Sequence, residues 1–526
     1  MNNTKLTGIE AYPARLHWCG RIGLAGACGG AAALAFLLPQ AAWLCWIAFV
    51  PLLWALQGLS GLRSYAIGVI AGMVFYAVGA YWLVHFFVLL KGYSAVPAAL
   101  LAIFYWSFCA QLFGVLAWGY CWLHNRTALP VAWLFSVLLA AAFAFLPNPL
   151  STQLGESQAS FTIAAQGVDM TGVSGIDFMI GMVNALLFGA LASSRTPGGS
   201  QASALACVCV CVWFGYGVVS SRAWTERVAS QPTINIGIVQ PNETPSASLP
   251  PPQPGFTRSW PPEMQISEQL ASRGARIIIW PEGRYRGYLN TAHVQRAYGE
   301  AVAQFGVPVL LQDMEIGTDR REYNASVIID ATGRQRGKYR KRARLAFAEY
   351  IPVFGDVQWV RSAVRGYLGA FFSDTAQGSR AETFAANELR LVPLICYEIM
   401  FSRLASQSTP PDVAGLMLVA QSNDGWFGAS RQPFMHLQAS RLRAIENRLP
   451  VVHAINNGPS AVVGADGRVV AQAPAFAAGG LLAPAPYRDS GGKTFYARHA
   501  GWFEAVLLVL VAAAFAVAVR GLRQPP

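Results

Sequence analysis

Long apolar runs recur through the first part of the chain, at 22–38, 41–57, 65–90, 95–122, 127–146, 171–193 and 203–221, and an eighth closes it at 502–519. Each is near or above the roughly 20 residues that a helix rising about 1.5 Å per residue needs to cross a hydrocarbon layer. The pattern therefore predicts repeated membrane crossings. Only Pro39-Gln40 separates the first two runs, which also fit a single re-entrant hairpin.

Between 222 and 501 the pattern changes to short apolar runs ending in polar residues. Ile234–Gln240, Ala275–Trp280, Val307–Leu311, Ala325–Ile329, Leu391–Ile395, Ala414–Val419 and Val451–Ile455 read as buried strands, with helices near 263–273 and 433–448. Strands alternating with helices predict an α/β domain. The Pro- and Ser-rich stretch 243–262, with Pro250-Pro251-Pro252, reads as an exposed loop. The long connector 147–170 lies on the same side as this domain, where it could help cover a lipid site.

Composition agrees with a membrane protein carrying a large water-compatible part: of 526 residues, 54% are hydrophobic and only 13% charged, against about 25% charged in soluble domains. The net charge of +12 does not imply nucleic acid, because the basic residues are dispersed and no nucleic-acid motif accompanies them; a basic surface near anionic lipid explains it better. Lys5, Arg15, Arg21, Arg63, Arg126, Arg195, Arg520 and Arg523 fall on one side if every run spans, and among the short loops only Lys91 falls on the other. The positive-inside rule makes that first side cytoplasmic. The expected organisation is a cytoplasmic lead at 1–21, a transmembrane domain of about seven segments at 22–221, an extracytoplasmic domain at 222–501, a last transmembrane helix at 502–519 and a cytoplasmic tail at 520–526.

Candidate chemistry centres on Leu391-Val392-Pro393-Leu394-Ile395-Cys396-Tyr397-Glu398, an apolar strand ending on a cysteine. The carboxyl ends of strands are where open α/β sheets place their chemistry. Cys396 is the only cysteine in 230–495 and has no disulfide partner in its domain. Cysteines are often small core hydrophobes. Here Glu282, in Trp280-Pro281-Glu282, and Lys341, in Tyr339-Arg340-Lys341, supply a base and a cation, which with a thiol form a sufficient nucleophilic set. His436 and His453 read as packed, hydrogen-bonded residues and not as partners in a Cys-His dyad. Cys207, Cys209 and Cys211 alternate without a neighbouring histidine, so no metal site and no cofactor is expected.

Trp280-Pro281-Glu282, then Tyr339-Arg340-Lys341 with Glu349-Tyr350-Ile351-Pro352 starting eight residues after the lysine, then Cys396-Tyr397-Glu398, resemble the Glu, Lys and Cys motifs of the nitrilase superfamily. Joined to seven preceding membrane segments and one following, the chain resembles the apolipoprotein N-acyltransferase family over nearly its whole length. Asn423-Asp424-Gly425-Trp426-Phe427-Gly428, His436-Leu437-Gln438 and Asn456-Asn457-Gly458 fit it too. The resemblance implies a multi-pass α-helical membrane domain plus a nitrilase-like αββα sandwich. It implies Glu282 as general base, Cys396 as nucleophile and Lys341 as oxyanion stabiliser together with the amide of Tyr397. Glu349 and Glu398 would orient the lysine and the cysteine turn. The partners implied are a phospholipid acyl donor and a diacylglyceryl-modified apolipoprotein acceptor in the bacterial inner membrane, with the catalytic domain periplasmic.

The sequence departs from that pattern in places. Gly283-Arg284-Tyr285 follows Glu282, the segment Leu345-Ala346-Phe347-Ala348 lacks the usual proline and glycine, and Trp260 stands in for a tryptophan expected soon after Asn242. These changes keep two alternatives open: a paralogue with the same triad and another acceptor, similar to membrane proteins of conjugal transfer systems, and a non-catalytic membrane assembly factor.

Overall fold

The computed structural model describes residues 16–523 except 151, 193–198, 247, 284 and 370–371. The expected lead therefore lies outside the described residues up to 15, as do Arg195, Arg284 and the tail beyond 523.

Among the described residues, seven helical stretches are long and apolar enough to cross a membrane: Trp18–Leu37, Pro39–Leu56, Gly61–Gly79, Ala95–His124, Val173–Leu191, Ser200–Ser230 and Trp502–Arg520. The shorter Val131–Phe145 packs among them. The chain is a multi-pass membrane protein. Small residues let its helices approach closely, as membrane packing requires. A Cβ on Gly68 would meet the Phe113 carbonyl oxygen at 2.2 Å.

Three expectations are corrected. The stretch 65–90 is not one helix: it stops at Gly79 and restarts as Leu83–Lys91. The break lets Trp82 and Phe86 pack on Phe427 of the following domain, ring centroids 4.9 and 5.5 Å apart. The helix expected to end at 221 runs on to Ser230, because Ser220 and Trp224 dock against Arg448. The first helix begins at Trp18, inside the expected lead.

The domain that follows is a sandwich of two six-stranded sheets. Its strands are β1 (Thr233–Gln240), β2 (Ile277–Ile279), β3 (Val309–Ile316), β4 (Glu322–Ile329), β5 (Gln335–Arg340), β6 (Phe384–Ala386), β7 (Leu389–Ile395), β8 (Leu416–Ser422), β9 (Val451–Ile455), β10 (Ala461–Val463), β11 (Val469–Gln472) and β12 (Gly479–Pro486). The sheets run β12-β1-β2-β3-β4-β5 and β11-β10-β9-β8-β7-β6. In each, three central strands are parallel, β1-β2-β3 and β7-β8-β9, so both sets point their carboxyl ends at a common rim. Ile236, Ile279, Leu310, Leu391, Met417 and Val452 fill the space between the sheets. Helices Pro262–Ser272 and Ala292–Phe305 cover one outer face and Gln432–Asn447 the other, giving αββα layering.

The domain is tied to the membrane helices by Arg448, which lies just past helix Gln432–Asn447 and is buried. Its Nε donates to Asp169 Oδ2 at 2.9 Å, Nη1 to Gln166 Oε1 at 2.8 Å and Nη2 to Ser220 Oγ at 2.8 Å, with the guanidinium over Trp224. Removing one member of a buried ion pair leaves the other uncompensated. Arg448→Met is expected to lower stability by about 3–5 kcal/mol, read as a lowered midpoint of thermal unfolding in detergent. Arg390→Met, at the half-exposed pair with Asp412, should leave that midpoint nearly unchanged.

Candidate active site

β7 delivers Cys396 at its carboxyl end, where the backbone turns sharply: Cys396 has φ +55° and opens the short 3-10 turn Cys396–Met400. That left-handed conformation costs a non-glycine residue about 1–2 kcal/mol, so the surroundings must enforce it. They do so through Glu398, whose buried carboxylate accepts the Ile395 N–H at 2.8 Å and lies 2.8 Å from the Tyr339 hydroxyl. The same carboxylate accepts the N–H groups of Arg342 and Ala343 at 2.6 and 2.9 Å. One side chain thus fastens the cysteine turn to the loop that carries Lys341. Glu398 pairs with backbone donors and not with a neighbouring arginine side chain.

Lys341 leaves β5 with its backbone N–H bonded to the Asn324 carbonyl at 2.8 Å. Its ammonium is buried and lies 3.0 and 2.9 Å from the two oxygens of Glu349. Glu349 in turn accepts the Leu345 N–H at 2.8 Å. Burial opposes the lysine's charge, but Glu349, the Cys396 sulfur and Glu282 outweigh it and raise its pKa. Lys338 and Arg340, by contrast, both pair with Glu315 outside the site. Among the basic residues of this segment, Lys341 is the one that points inward.

Glu282 follows β2 and is buried. Oε1 accepts the Asn324 amide at 2.8 Å, and Oε2 accepts the Asn423 N–H at 3.2 Å. The electrostatic fields of Glu282 and Lys341 both act on Cys396. Burial and Glu282 push the thiol well above its ordinary range, and Lys341 opposes them without reversing the shift. A cation beside a cysteine ordinarily lowers its pKa; here burial wins, and the resting sulfur is a neutral thiol. Its proton therefore needs an acceptor at the moment of attack, and a carboxylate is present.

His436 Nδ1 donates to Asp424 at 3.0 Å, and Ser422 donates to Asp424 at 2.7 Å. Despite burial, this pairing lowers the Asp424 pKa and raises that of His436. His453 bonds Ser440 at 2.9 Å. Both histidines have structural partners. Among the described residues no cluster fit for a metal ion occurs.

Cys396 opens into a cavity with walls from both parts of the chain. Phe36, Trp82, Leu150, Thr152 and Glu156 come from the membrane part, and Tyr397, Met400, Phe427, Met435, His436 and Gln438 from the sandwich. The connector 147–170 thus borders the thiol's cavity, and Tyr397 donates its hydroxyl to the Pro149 carbonyl at 3.1 Å.

The carbon-nitrogen hydrolase family matches residues 246–486, and the apolipoprotein N-acyltransferase N-terminal domain matches residues 28–186. The apolipoprotein N-acyltransferase of Pseudomonas syringae pv. tomato is 28% identical over 496 residues, covering 89% of this chain and 91% of its own length. That of Geobacter metallireducens is 25% identical over 514 residues, with 93% of each covered. That of Rhodopseudomonas palustris is 34% identical over 254 residues, 45% of this chain and 44% of its own.

Over nearly its whole length the chain is similar to the apolipoprotein N-acyltransferases.

Its site also uses residues outside the Glu, Lys and Cys motifs. Asn324, on β4, bonds Glu282 and lies 3.5 Å from Glu349, linking the two carboxylates. The signal was there: Tyr323-Asn324-Ala325-Ser326 places polar residues inside an apolar strand. Gln421 bridges the sheets, donating to the Trp280 carbonyl at 2.7 Å and accepting from Ser326 at 2.5 Å. Asn456 donates to Asn423 at 2.9 Å, joining two motifs distant in sequence. The departure at Gly283 also has a local reason: a Cβ there would meet the guanidinium of Arg286, which is buried in an ion pair with Glu263. Trp260 packs against Phe305 on the outer layer, away from the thiol.

Alkylation of Cys396 by iodoacetamide should be slow at neutral pH and accelerate as pH rises past 9, the thiol's ordinary value. Peptide mapping of the modified cysteine reads this; a rate already on a plateau at pH 7 would contradict the buried-thiol account. Glu398→Gln, which sets an amide N–H2 against backbone donors, should cut modification by a substrate-like acyl donor by about 100-fold, the scale of a 1 Å misplacement, without loss of membrane insertion.

Proposed function

We propose that this protein transfers a fatty acyl group from a membrane phospholipid, through a thioester on Cys396, to the N-terminal amine of a diacylglyceryl-cysteine lipoprotein. One observation carries the reading most directly: the thiol, with Lys341 and Glu282 beside it, faces a cavity walled on its other side by Phe36 and Trp82 of the membrane part. Both substrates carry acyl chains that lose free energy on entering water, so a nucleophile at this junction meets them where they reside.

In the first step Glu282 takes the thiol proton as sulfur attacks the ester carbonyl. The tetrahedral oxyanion lies against the Lys341 ammonium and the Tyr397 N–H, preorganised donors aimed at developing charge. Glu349 holds the lysine in place. Collapse breaks the ester C–O bond, the proton passes from Glu282 to the departing alkoxide, and a lysophospholipid leaves. In the second step the neutral amine attacks the thioester. A C–N bond forms, the C–S bond breaks, and Glu282 carries the amine proton back to the sulfur. Two easier exchanges replace one difficult ester-to-amide conversion.

Lipid access is supported by the segment after Glu349, where Val353, Phe354 and Trp359 are 90%, 60% and 74% exposed. Large apolar side chains left in the open mark a lipid or protein contact. Orientation is supported by the distribution of charge along the bundle. Arg21, at the start of the first helix, bonds the Gln57 carbonyl at 2.9 Å. The other end of that helix meets the sandwich, where Arg431 donates to the Leu37 carbonyl at 2.9 Å. The basic end therefore faces away from the catalytic domain, which by the positive-inside rule is periplasmic in a bacterial inner membrane.

Transfer of labelled acyl groups from phospholipid vesicles to a diacylglyceryl-cysteine peptide tests the reading. Cys396→Ala should abolish transfer, Lys341→Met should reduce it by at least about 100-fold, and Lys338→Met should retain most of it. Wild-type transfer in Cys396→Ala would sink the thioester route, and a larger loss in Lys338→Met than in Lys341→Met would show that the wrong lysine had been chosen.

A further inference from the structure

Glu156, in the 3-10 turn Leu154–Ser160, is 4% exposed and lines the same cavity as Cys396. The Gln153 N–H donates to its carboxylate, which has no ion pair among the described residues. The nearby cation, Arg443, is committed elsewhere: it donates to the Ile399 and Met400 carbonyls and pairs with Glu446. A buried carboxylate with no paired cation is costly, and such groups in native proteins call for a physical reason.

Two further acceptors share the cavity. Gln432 Oε1 and Gln438 Oε1 are buried without a partner among the described residues. The Gln438 amide nitrogen donates to the Phe36 carbonyl at 3.4 Å, so its oxygen is the free end. A carboxylate and two amide oxygens offer acceptors only. Their complement is a group with several N–H donors and a positive charge, and a primary ammonium has three such donors.

We propose that this wall of the cavity is a subsite for a primary ammonium, with Glu156 as its charge partner and proton acceptor. The proposal rests on the acyl-transfer reading above. Two substrates could bring that group, the N-terminal amine of the acceptor or the ethanolamine headgroup of a phospholipid donor. Placement favours the acceptor. Its nitrogen must reach the thioester carbonyl on Cys396, whereas an ethanolamine nitrogen lies many bonds from the ester that reacts.

The second step then gains a source for its nucleophile. The Glu156 carboxylate takes one proton from the ammonium, and the neutral amine attacks the thioester. The C–N bond forms, the C–S bond breaks, the second amine proton passes by way of Glu282 to the sulfur, and Glu156 returns its proton to water as the amide leaves. Burial raises the Glu156 pKa to about 8, with Asp177 and Glu446 adding to the rise and Arg443 opposing it. An α-amine ordinarily titrates at about 7.7–8.0, so the proton moves between groups of similar affinity. The other titratable groups on the cavity are the Asp424–His436 pair, Tyr397 and Cys396 itself.

The test separates loading from discharge in full-length Glu156→Gln, which keeps the side chain's shape. The protein is acylated from phosphatidylglycerol vesicles, or in a parallel arm from phosphatidylethanolamine vesicles. It is then mixed with a diacylglyceryl-cysteine peptide between pH 6.5 and 9.5, and the acyl mass on Cys396 is followed. The expected result is loading at the wild-type rate from both lipids, with discharge slowed at least tenfold at pH 7 and recovering toward wild type as pH passes the amine's own pKa. Discharge unchanged at all pH values, or slowed equally at all of them, would overturn the proposal. Slower loading from phosphatidylethanolamine alone would overturn the acceptor assignment and give the subsite to the donor headgroup. Failure of the wild type to acylate Cys396 at all would instead contradict the acyl-transfer reading.

Discussion

Glu398 accepts the N–H groups of Ile395, Arg342 and Ala343 and meets the Tyr339 hydroxyl, all from a buried position. Those contacts fix the relation between the end of β7 and the end of β5, strands from opposite sheets. Without them the left-handed turn at Cys396 and the inward course of the Lys341 loop would each have to be held separately. A carboxylate kept there must be fully bonded, since an unsatisfied charge in a low-dielectric interior costs several kcal/mol. Every other feature of the site assumes this fastening: the ammonium set against Glu349, Glu282 held by Asn324 and Asn423, and the neutral thiol among them.

A second constraint acts between the two parts of the chain. The thiol's cavity closes only because residues of the membrane part form one of its walls, and the sandwich is held there by Arg448 on Asp169, Arg431 on Leu37 and Phe427 between Trp82 and Phe86. Burying these polar contacts is a poor route to stability but a good one to fixed geometry. Fixed geometry is what a site at a lipid boundary requires.

Much of this was legible in the sequence. The strands β1, β2, β7, β8 and β9 and the helices around 262–272 and 432–447 followed from apolar runs ending in polar residues, and Glu282, Lys341, Glu349, Cys396 and Glu398 followed from motifs. β12 was not, because Gly479-Gly480 and Ala483-Pro484-Ala485-Pro486 read as loop. It is an edge strand, where missing N–H donors are tolerated. The break after Gly79 was hidden because both halves are apolar, and only the aromatic contacts of Trp82 and Phe86 decide it. Asn324 escaped notice, and Asn423 and Glu156 were read only as parts of a motif and of the connector 147–170, because their roles come from what surrounds them in space. The thiol's raised pKa was missed for a related reason: sequence names the cation beside a cysteine but does not weigh it against burial.

Intact-protein mass spectrometry of the wild type, incubated first with phospholipid vesicles alone and then with a diacylglyceryl-cysteine peptide, tests the central claim most directly. The account predicts a single fatty-acyl mass localised to Cys396 in the first incubation, and its disappearance in the second as the peptide gains an amide-linked chain. Amide formation without any acyl mass on Cys396, under conditions in which a slow second step would trap it, would contradict the account.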